Sequence, residues 1–511
     1  MSDMTSNLPA SVKRYARYLL IMAGLGGLIY GIDVGVIAAA LPYVRNTSNY
    51  TSVQLGFIVG AVLWGSVLSS LFAGSLAEFF GRKKIIIASA FCFFISIPVI
   101  CLSGMFDGGN FVLLTIGRTL QGASAGLVGV VVPMYLAECL DSDSRGKGTG
   151  MFQLLLTIGL AFAAVIGLVV TGWVGDSDKV VNAAADANGV EAAAVTLANI
   201  KEWVSPEQLK RWTAAWQTIF LCSAVPGLVL FLGAFKLKES PRWLYKKGRK
   251  EEALASLAAN NGEEKAKVIL DEMIAADAAA EAEKAAIAKA AQGDTLLQRK
   301  YIYPFCLAVV ILACNQTTGI NSVLNYTVDI FKATGMEGVF ANFSDLAIKL
   351  VNVFMTIVAC TLVDKKGRKF LLKLGTSGII LGLCGVATTF LLISKGVVAA
   401  SMTTGVIATV FFFMFIAFYA VGPGVCVWLA LSELMPTRIR ATGMSIAMII
   451  NQGVSATIAT VFPAWKDAWG FPAVFYSLAA FTIVYFIAAA FFLPETKGKT
   501  LEEIEKYFSK K

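Results

Sequence analysis

Long apolar runs, separated by charged or turn-forming residues, set the pattern of this chain. Twelve such runs fall at residues 17–44, 53–78, 85–105, 111–138, 149–173, 214–236, 302–332, 340–363, 370–394, 402–432, 441–465 and 470–493. A bilayer crossing needs roughly 20 mostly apolar residues. Backbone groups in lipid must be satisfied within the segment, so each run predicts a transmembrane helix. The first run is too long for a signal-peptide core and no A-x-A site follows it, so it reads as a retained helix. The pattern divides the chain into an N-terminal segment (1–16), a six-span half (17–236), a charged stretch (237–301), a second six-span half (302–493) and a tail (494–511).

Two polar segments interrupt the runs. Residues 237–300 are rich in Ala, Glu and Lys and predict several short amphipathic helices. Residues 174–213 are Ala-rich, then amphipathic around Ile200–Leu209; they fit either a cap over one mouth of the protein or a solvated insertion. Basic residues gather in alternate loops and both terminal segments, among them Lys13, Arg14 and Arg17, Arg82 to Lys84, Lys236 to Lys300, Lys365 to Lys373, and Lys497 to Lys511. By the positive-inside bias, these segments and both termini are cytoplasmic.

Composition narrows the class further. Of 511 residues, 57% are hydrophobic and 15% charged, against about 25% charged in soluble domains. That excludes a soluble enzyme, a disordered protein and a nucleic-acid binder, and the net charge of +9 is accounted for by the inside loops. The nine cysteines lie in or beside apolar runs with no metal-ligand spacing, and histidine is absent. Proton chemistry would then fall to a carboxylate. No phosphate-binding loop, metal cluster or nucleophile–base constellation occurs, so no cofactor, metal or enzymatic activity is expected. Asn46-Thr47-Ser48 and Asn49-Tyr50-Thr51 fit glycosylation acceptors.

The two halves repeat one another. Gly74 to Lys84, with Glu78, Gly81 and Arg82, corresponds to Leu362 to Lys369, with Asp364, Gly367 and Arg368. Glu138 precedes Arg145, as Glu433 precedes Arg438 and Arg440. Glu239 and Arg242 follow the sixth run, as Glu495 follows the twelfth. Acids and bases at equivalent helix ends can pair in one conformation and part in another. They are therefore candidate gate residues of an alternating-access machine.

Several strings carry a family resemblance: Glu239-Ser240-Pro241-Arg242-Trp243-Leu244, Pro494-Glu495-Thr496-Lys497-Gly498, Gly117-Arg118 with Gly122 and Pro133 to Glu138, and Gln316 to Asn321. With the two Gly-Arg-Lys loops they resemble the sugar porters of the major facilitator superfamily, closest to bacterial proton-linked pentose and hexose symporters. The resemblance spans essentially the whole chain. It implies an all-α membrane protein of twelve helices in two pseudo-symmetric bundles, with a cytoplasmic helical domain between them. It further implies a multi-pass protein of a plasma or bacterial inner membrane, working as a monomer, that imports a monosaccharide with a proton. A proton-independent sugar or polyol facilitator and a non-transporting sugar sensor are the alternatives.

Within that frame, Asp33 in the first run is the deepest acid. Such a charge costs about 2.5–3.5 kcal/mol at a helix centre, so it predicts a function and a partner. Arg118 is the expected partner, and the resemblance marks this pair as a sign of proton coupling. Lys349 lies four residues after Asp345, which reads as a helical ion pair or as an anion hook for a carboxylated sugar. Amide side chains suit hydroxyl groups because each both donates and accepts. The apolar runs supply Asn315, Gln316, Asn321, Asn325, Asn451 and Gln452, with Tyr30, Tyr419, Gly424 and Trp428 nearby. By the resemblance, Gln316, Asn321, Trp428 and Asn451 match sugar-contacting residues, and Tyr326 an aromatic of the outer gate. Gln316 and Asn321 are offset by about 140° on an ideal helix, so both face a cavity only if Gly319 breaks the span. Asn315, Asn325, Leu160, Gln217 and Gln452 depart from the family pattern, which leaves a polyol, an inositol or a deoxy or acidic sugar open.

Overall fold

The computed structural model describes residues 9–140, 142–191, 194–290, 298–436 and 439–495. Among them the regular structure is helical throughout. The first half comprises α1 (Ala10–Thr47), α2 (Ser52–Phe80), α3 (Arg82–Ser103), α4 (Phe111–Cys139), α5 (Ser142–Val174), two short helices α6 (Ser177–Ala187) and α7 (Leu197–Trp203), and α8 (Pro206–Ala234). The linker forms α9 (Pro241–Lys246), α10 (Lys250–Asn261) and α11 (Glu263–Ala290). The second half comprises α12 (Arg299–Thr317), α13 (Ile320–Ala333), α14 (Gly338–Lys366), α15 (Arg368–Ser394), α16 (Met402–Val421), α17 (Pro423–Leu434) and α18 (Arg440–Ile487), closed by a π-helical turn at Ala488–Phe492.

Three spans differ from uniform rods. Thr318 and Gly319 separate α12 from α13, and Gly319 holds φ +80°. Gly422 and Pro423 separate α16 from α17, because proline at the first helical position accepts a new start but not a continuation. The last helix has 48 residues, about 72 Å at 1.5 Å per residue, more than twice the hydrocarbon thickness. It turns at Gly470, where φ is +75° and ψ 165°, and so makes two crossings. The crossings among the described residues total twelve.

Local chemistry sets the ends. Thr51 and Ser401 form capping boxes with Gln54 and Thr404, and Asn110 caps α4 by accepting from Leu113 N. Each satisfies amides that would otherwise be orphaned at the membrane boundary. The linker is two short helices and one of 28 residues, rather than several short ones. It packs on the first half: Asn260 Nδ2 donates to the Cys139 carbonyl at 2.6 Å, and Lys238 N to the Tyr15 hydroxyl at 2.7 Å.

The cores are unevenly shared. On the face away from the linker, one continuous cluster joins both halves, with Val36, Ile37 and Val44 packed in the same body as Val323, Phe331 and Phe475. Toward the linker face the halves keep separate clusters, one around Phe93 and Tyr135 and another around Leu371, Val427 and Tyr485. Apolar burial therefore fastens the two halves at the far face.

A Cβ on Gly319 would stand 2.6 Å from Leu478 Cδ1 and would face a left-handed backbone. Gly319→Ala is expected to cost about 1–2 kcal/mol from the backbone alone and to lower the melting midpoint in fluorescence-monitored unfolding. Gly453→Ala, where nothing lies within 4 Å, is expected to leave it unchanged or raise it.

Candidate functional site

Asp33 and Arg118 come together inside the first half. Both side chains are essentially unexposed, and Arg118 Nη1 stands 3.7 Å from Asp33 Oδ1. The guanidinium donates to Gln121 Oε1 at 3.0 Å and to the Asp33 carbonyl at 3.4 Å, and it lies over the Phe220 ring at 5.7 Å. Neither carboxylate oxygen of Asp33 has a hydrogen-bond partner. Coulomb attraction without hydrogen bonds leaves much of the desolvation cost of an ionised carboxylate uncompensated.

A hydrogen-bonded chain of amides occupies the second half. The break at Thr318–Gly319 turns α13 so that Asn321 Nδ2 donates to Gln316 Oε1 at 3.0 Å and to Ser455 Oγ at 2.7 Å. Gln316 Nε2 donates to Asn451 Oδ1 at 3.2 Å, and Asn451 Nδ2 to the Leu312 carbonyl at 2.8 Å. Asn315 and Asn325 are buried, and each has a side-chain oxygen without a partner. Tyr419 stands beside Asn315, and Gly424 opens the first turn of α17. Tyr30, one turn before Asp33, lies beside Gln452 of the other half and Ser66. Tyr326 is buried, stacks on Phe462 at 4.8 Å and donates to the Ala459 carbonyl at 2.9 Å. Ser455 was not legible as a contact, since serine is common in membrane helices as packing glue.

The carboxylates of the linker face bind within one half at a time. Arg82 Nη2 donates to Glu138 Oε1 at 2.7 Å, and Ser240 Oγ to Glu138 Oε2 at 2.5 Å. Glu239 accepts from the amides of Arg82 at 2.8 Å and Lys83 at 3.0 Å, a carboxylate on the N-terminus of α3. Glu495 repeats this on α15, accepting from Arg368 N at 3.2 Å. Gly81 and Gly367 precede these helices with φ +96° and +86°, and a Cβ on Gly367 would meet Glu495 at 2.9 Å. Glu78 is exposed, and it is its carbonyl that is engaged, by Trp243 Nε1 at 2.7 Å. Its expected gate pairing is therefore absent among the described residues: the acid points to solvent while Glu138 takes Arg82. Arg242 is exposed. The side chains of Arg145, Asp364, Trp428, Glu433 and Arg440 lie outside the described residues.

The comparisons with known proteins bear on this arrangement. The family model for sugar (and other) transporters matches residues 19–508. The chain belongs to that transporter family. It is 28% identical over 503 residues to the major myo-inositol transporter IolT of Bacillus subtilis, covering 97% of this chain and 94% of the relative. It is 27% identical over 512 residues to the arabinose-proton symporter of the same organism, covering 100% and 99%. Among solved structures, the inward open conformation of the xylose transporter XylE from E. coli matches with TM-score 0.75 at 22% identity, covering 96% of this chain and all of the other. The major facilitator fold and the multi-pass membrane location follow, and the protein is a transporter, not an enzyme.

Two further charge groups stand outside the family motifs. In this transporter Lys349 Nζ donates to Asp345 Oδ2 at 2.7 Å, with both side chains at most 1% exposed. Lys349 is the twelfth residue of α14, about 16 Å along the axis, so the pair lies deeper than a helix-end pair. Lys349 is not exposed as an anion hook would be. On the far face, Arg45 reaches Asp178 at 3.0 Å and Asp329 at 3.1 Å. Lys332 reaches Asp176 at 2.5 Å and Asp178 at 2.9 Å. Asn46 is buried and donates to Ser177 Oγ at 3.0 Å and Asp178 Oδ1 at 2.6 Å. It is a structural residue there, in contrast to the expectation of a glycan acceptor; Asn49 is exposed.

Burial would raise the Asp178 carboxyl, but Arg45, Lys332 and the Asn46 amide outweigh it and hold it well below the usual range. A depressed folded-state value contributes stability that is complete above the unfolded value of about 3.9 and fades only as pH falls through the lower folded value. Asp178→Asn is therefore expected to destabilise by the same amount at pH 5.5 and pH 7.5, on the order of 3 kcal/mol for breaking a largely buried pair. Thermal unfolding at the two pH values measures this.

Proposed function

We propose that this protein is a secondary active transporter carrying one neutral polyhydroxylated molecule, a monosaccharide or polyol, together with a proton by alternating access. Residues 17–236 and 302–493 are the two rocking bodies, and the monomer is the working unit. The basic linker face and both termini lie in the cytoplasm, in keeping with the positive-inside bias. The observation that carries the reading is the unexposed Asp33 carboxylate, 3.7 Å from Arg118 and without a hydrogen-bond partner.

The proton step uses this chain's own groups. With Asp33 ionised, its charge and that of Arg118 cancel at membrane depth. A proton on Asp33 removes the acid's charge and leaves the guanidinium to Gln121 and the Phe220 ring. Each state has its own compensation, so the bundle can carry both. Tyr30 stands three residues from Asp33 on the same helical face and reaches Gln452 of the second half. That contact joins the protonation site to the half that holds the amides.

For the cargo, Asn451, Gln316, Asn321 and Ser455 already form one hydrogen-bonded chain. A polyhydroxylated guest exchanges those bonds for its own at little net cost, since each amide both donates and accepts. Asn315 and Asn325 add oxygens that lack partners and suit hydroxyl donors. The relatives named for arabinose with a proton and for myo-inositol are in keeping with this class. A proton entering with each guest adds about 2.3 kcal/mol per 100 mV of membrane potential.

Proteoliposomes with an imposed pH gradient test the reading. The expected result is accumulation of radiolabelled xylose, arabinose or myo-inositol above equilibrium, abolished by a protonophore. Asp33→Asn is expected to lose accumulation while retaining exchange, and Asp33→Glu to recover part of it. Concentrative uptake by Asp33→Asn would overturn the proton assignment, and wild-type uptake indifferent to the gradient would make the protein a facilitator. Asn451→Ala is expected to weaken binding of the transported guest about tenfold by isothermal titration, near the 1–1.5 kcal/mol of a lost hydrogen bond.

A further inference from the structure

The far face carries a charged cluster that none of the family motifs contains. Its centre is the N-terminal turn of α6, in the segment between α5 and α8. Asp176 caps α6 by accepting from Asp178 N at 3.1 Å. From α1 come Arg45, bonded to Asp178, and Tyr43, whose hydroxyl donates to the Gly175 carbonyl at 2.7 Å. From the other half come Asp329, bonded to Arg45, and Lys332, bonded to both Asp176 and Asp178. The side chains of Asp176, Asp178, Asp329 and Lys332 are 10–15% exposed, whereas Arg45 is 38% exposed. Two cations, one on α1 and one on α13, thus face three anions, two at the start of α6 and one on α13.

We infer that the first turn of α6 is an electrostatic latch, wedged between the two halves, that holds the far face shut and must release for the transporter to open there. The inference rests on the alternating-access reading and adds to it a specific restraint on one of its two states. Asp329 and Lys332 sit on α13, the same half-helix that carries Asn321, Asn325 and Tyr326. Movement of the guest-binding amides with α13 therefore pulls on the latch, and release of the latch frees α13 to move. A cavity of about 810 Å³ lies beside it, lined by Arg45, Asp178, Asp329 and Lys332 together with Tyr326 and Phe462. Water in that cavity is positioned to resolvate the charges as they part, which lowers the cost of opening below that of a pair separated in hydrocarbon. A second cross-half pair, Lys179 with Glu337 at 2.8 Å, is 64% and 61% exposed and carries little, as exposed pairs do.

Hydrogen–deuterium exchange with mass spectrometry on the full chain in nanodiscs tests the latch. Lys332→Met and Asp178→Asn are each expected to raise exchange in α6 and α13. Both are expected to lower it at the linker face, around Gly81 and Glu138, because opening one face of a rocking bundle closes the other. The change expected is at least about tenfold in protection, the factor carried by 1.4 kcal/mol. Lys179→Met is expected to change neither face. Loosening at the far face without added protection at the linker face would make the cluster a static clamp and overturn the latch. So would unchanged exchange in both variants, or an equal effect from Lys179→Met. These outcomes are read without any transport measurement, so they separate failure of the latch from failure of the symport reading.

Discussion

A charge placed in hydrocarbon must find a counter-charge or lose its ionisation, and the arrangement of this molecule follows from that requirement. Asp33 meets Arg118 across two helices, Asp345 meets Lys349 within one, and Arg82 meets Glu138 at the membrane boundary. The three solutions differ in what they leave over. Arg82 and Glu138 are enclosed by further hydrogen bonds, from Arg82 to the Ala77 carbonyl and from Ser240 to Glu138. Asp345 keeps one oxygen on its lysine and one unpartnered, and Asp33 keeps both oxygens unpartnered. The proposed proton step is placed on Asp33, the acid with the fewest compensating hydrogen bonds of the three.

Pseudo-symmetry explains the scaffold, and departures from it explain the work. Glu239 on the N-terminus of α3 and Glu495 on that of α15 do the same job at the same place. Each sits beside a glycine whose positive φ lets the carboxylate approach the helix start. The halves diverge in the interior. The first holds the acid–guanidinium pair, while the second holds the amide chain and, among the described residues, both helix breaks within single spans, at Gly319 and at Gly422–Pro423. The two halves thus differ in kind, a buried charge pair in one and clustered amides beside broken helices in the other. The single shared core of the far face and the divided cores of the linker face fit one closed end and one end where the halves are less tightly joined.

Much of the plan was legible in residue order alone. Twelve apolar runs, the duplicated Gly-Arg-Lys loops and the deep Asp33 are properties of composition and spacing, and burial in lipid turns spacing directly into helices. The break near Gly319 was readable too, because Gln316 and Asn321 cannot share a face on an unbroken helix. The partner of a gate residue was less readable. Glu78 shares its motif with Arg82 and Glu138 precedes Arg145, yet the fold gives Arg82 to Glu138 and turns Glu78 to solvent.

The sequence by itself determined the membrane class, the number of spans, the two-fold repeat and the pool of polar residues buried within it, because each depends on local hydropathy and short-range order. Tertiary structure alone decided the rest. It brought Asn321 to Ser455 and Gln316 to Asn451, separations of more than a hundred residues. It also set the first turn of α6 between Arg45 and Lys332, so that the segment after α5 meets charges of both halves. Nothing in an amphipathic outer segment encodes which charges it will meet. That is fixed only when the two bundles pack against each other and the desolvation of each acid is compensated by whichever cation the packing presents.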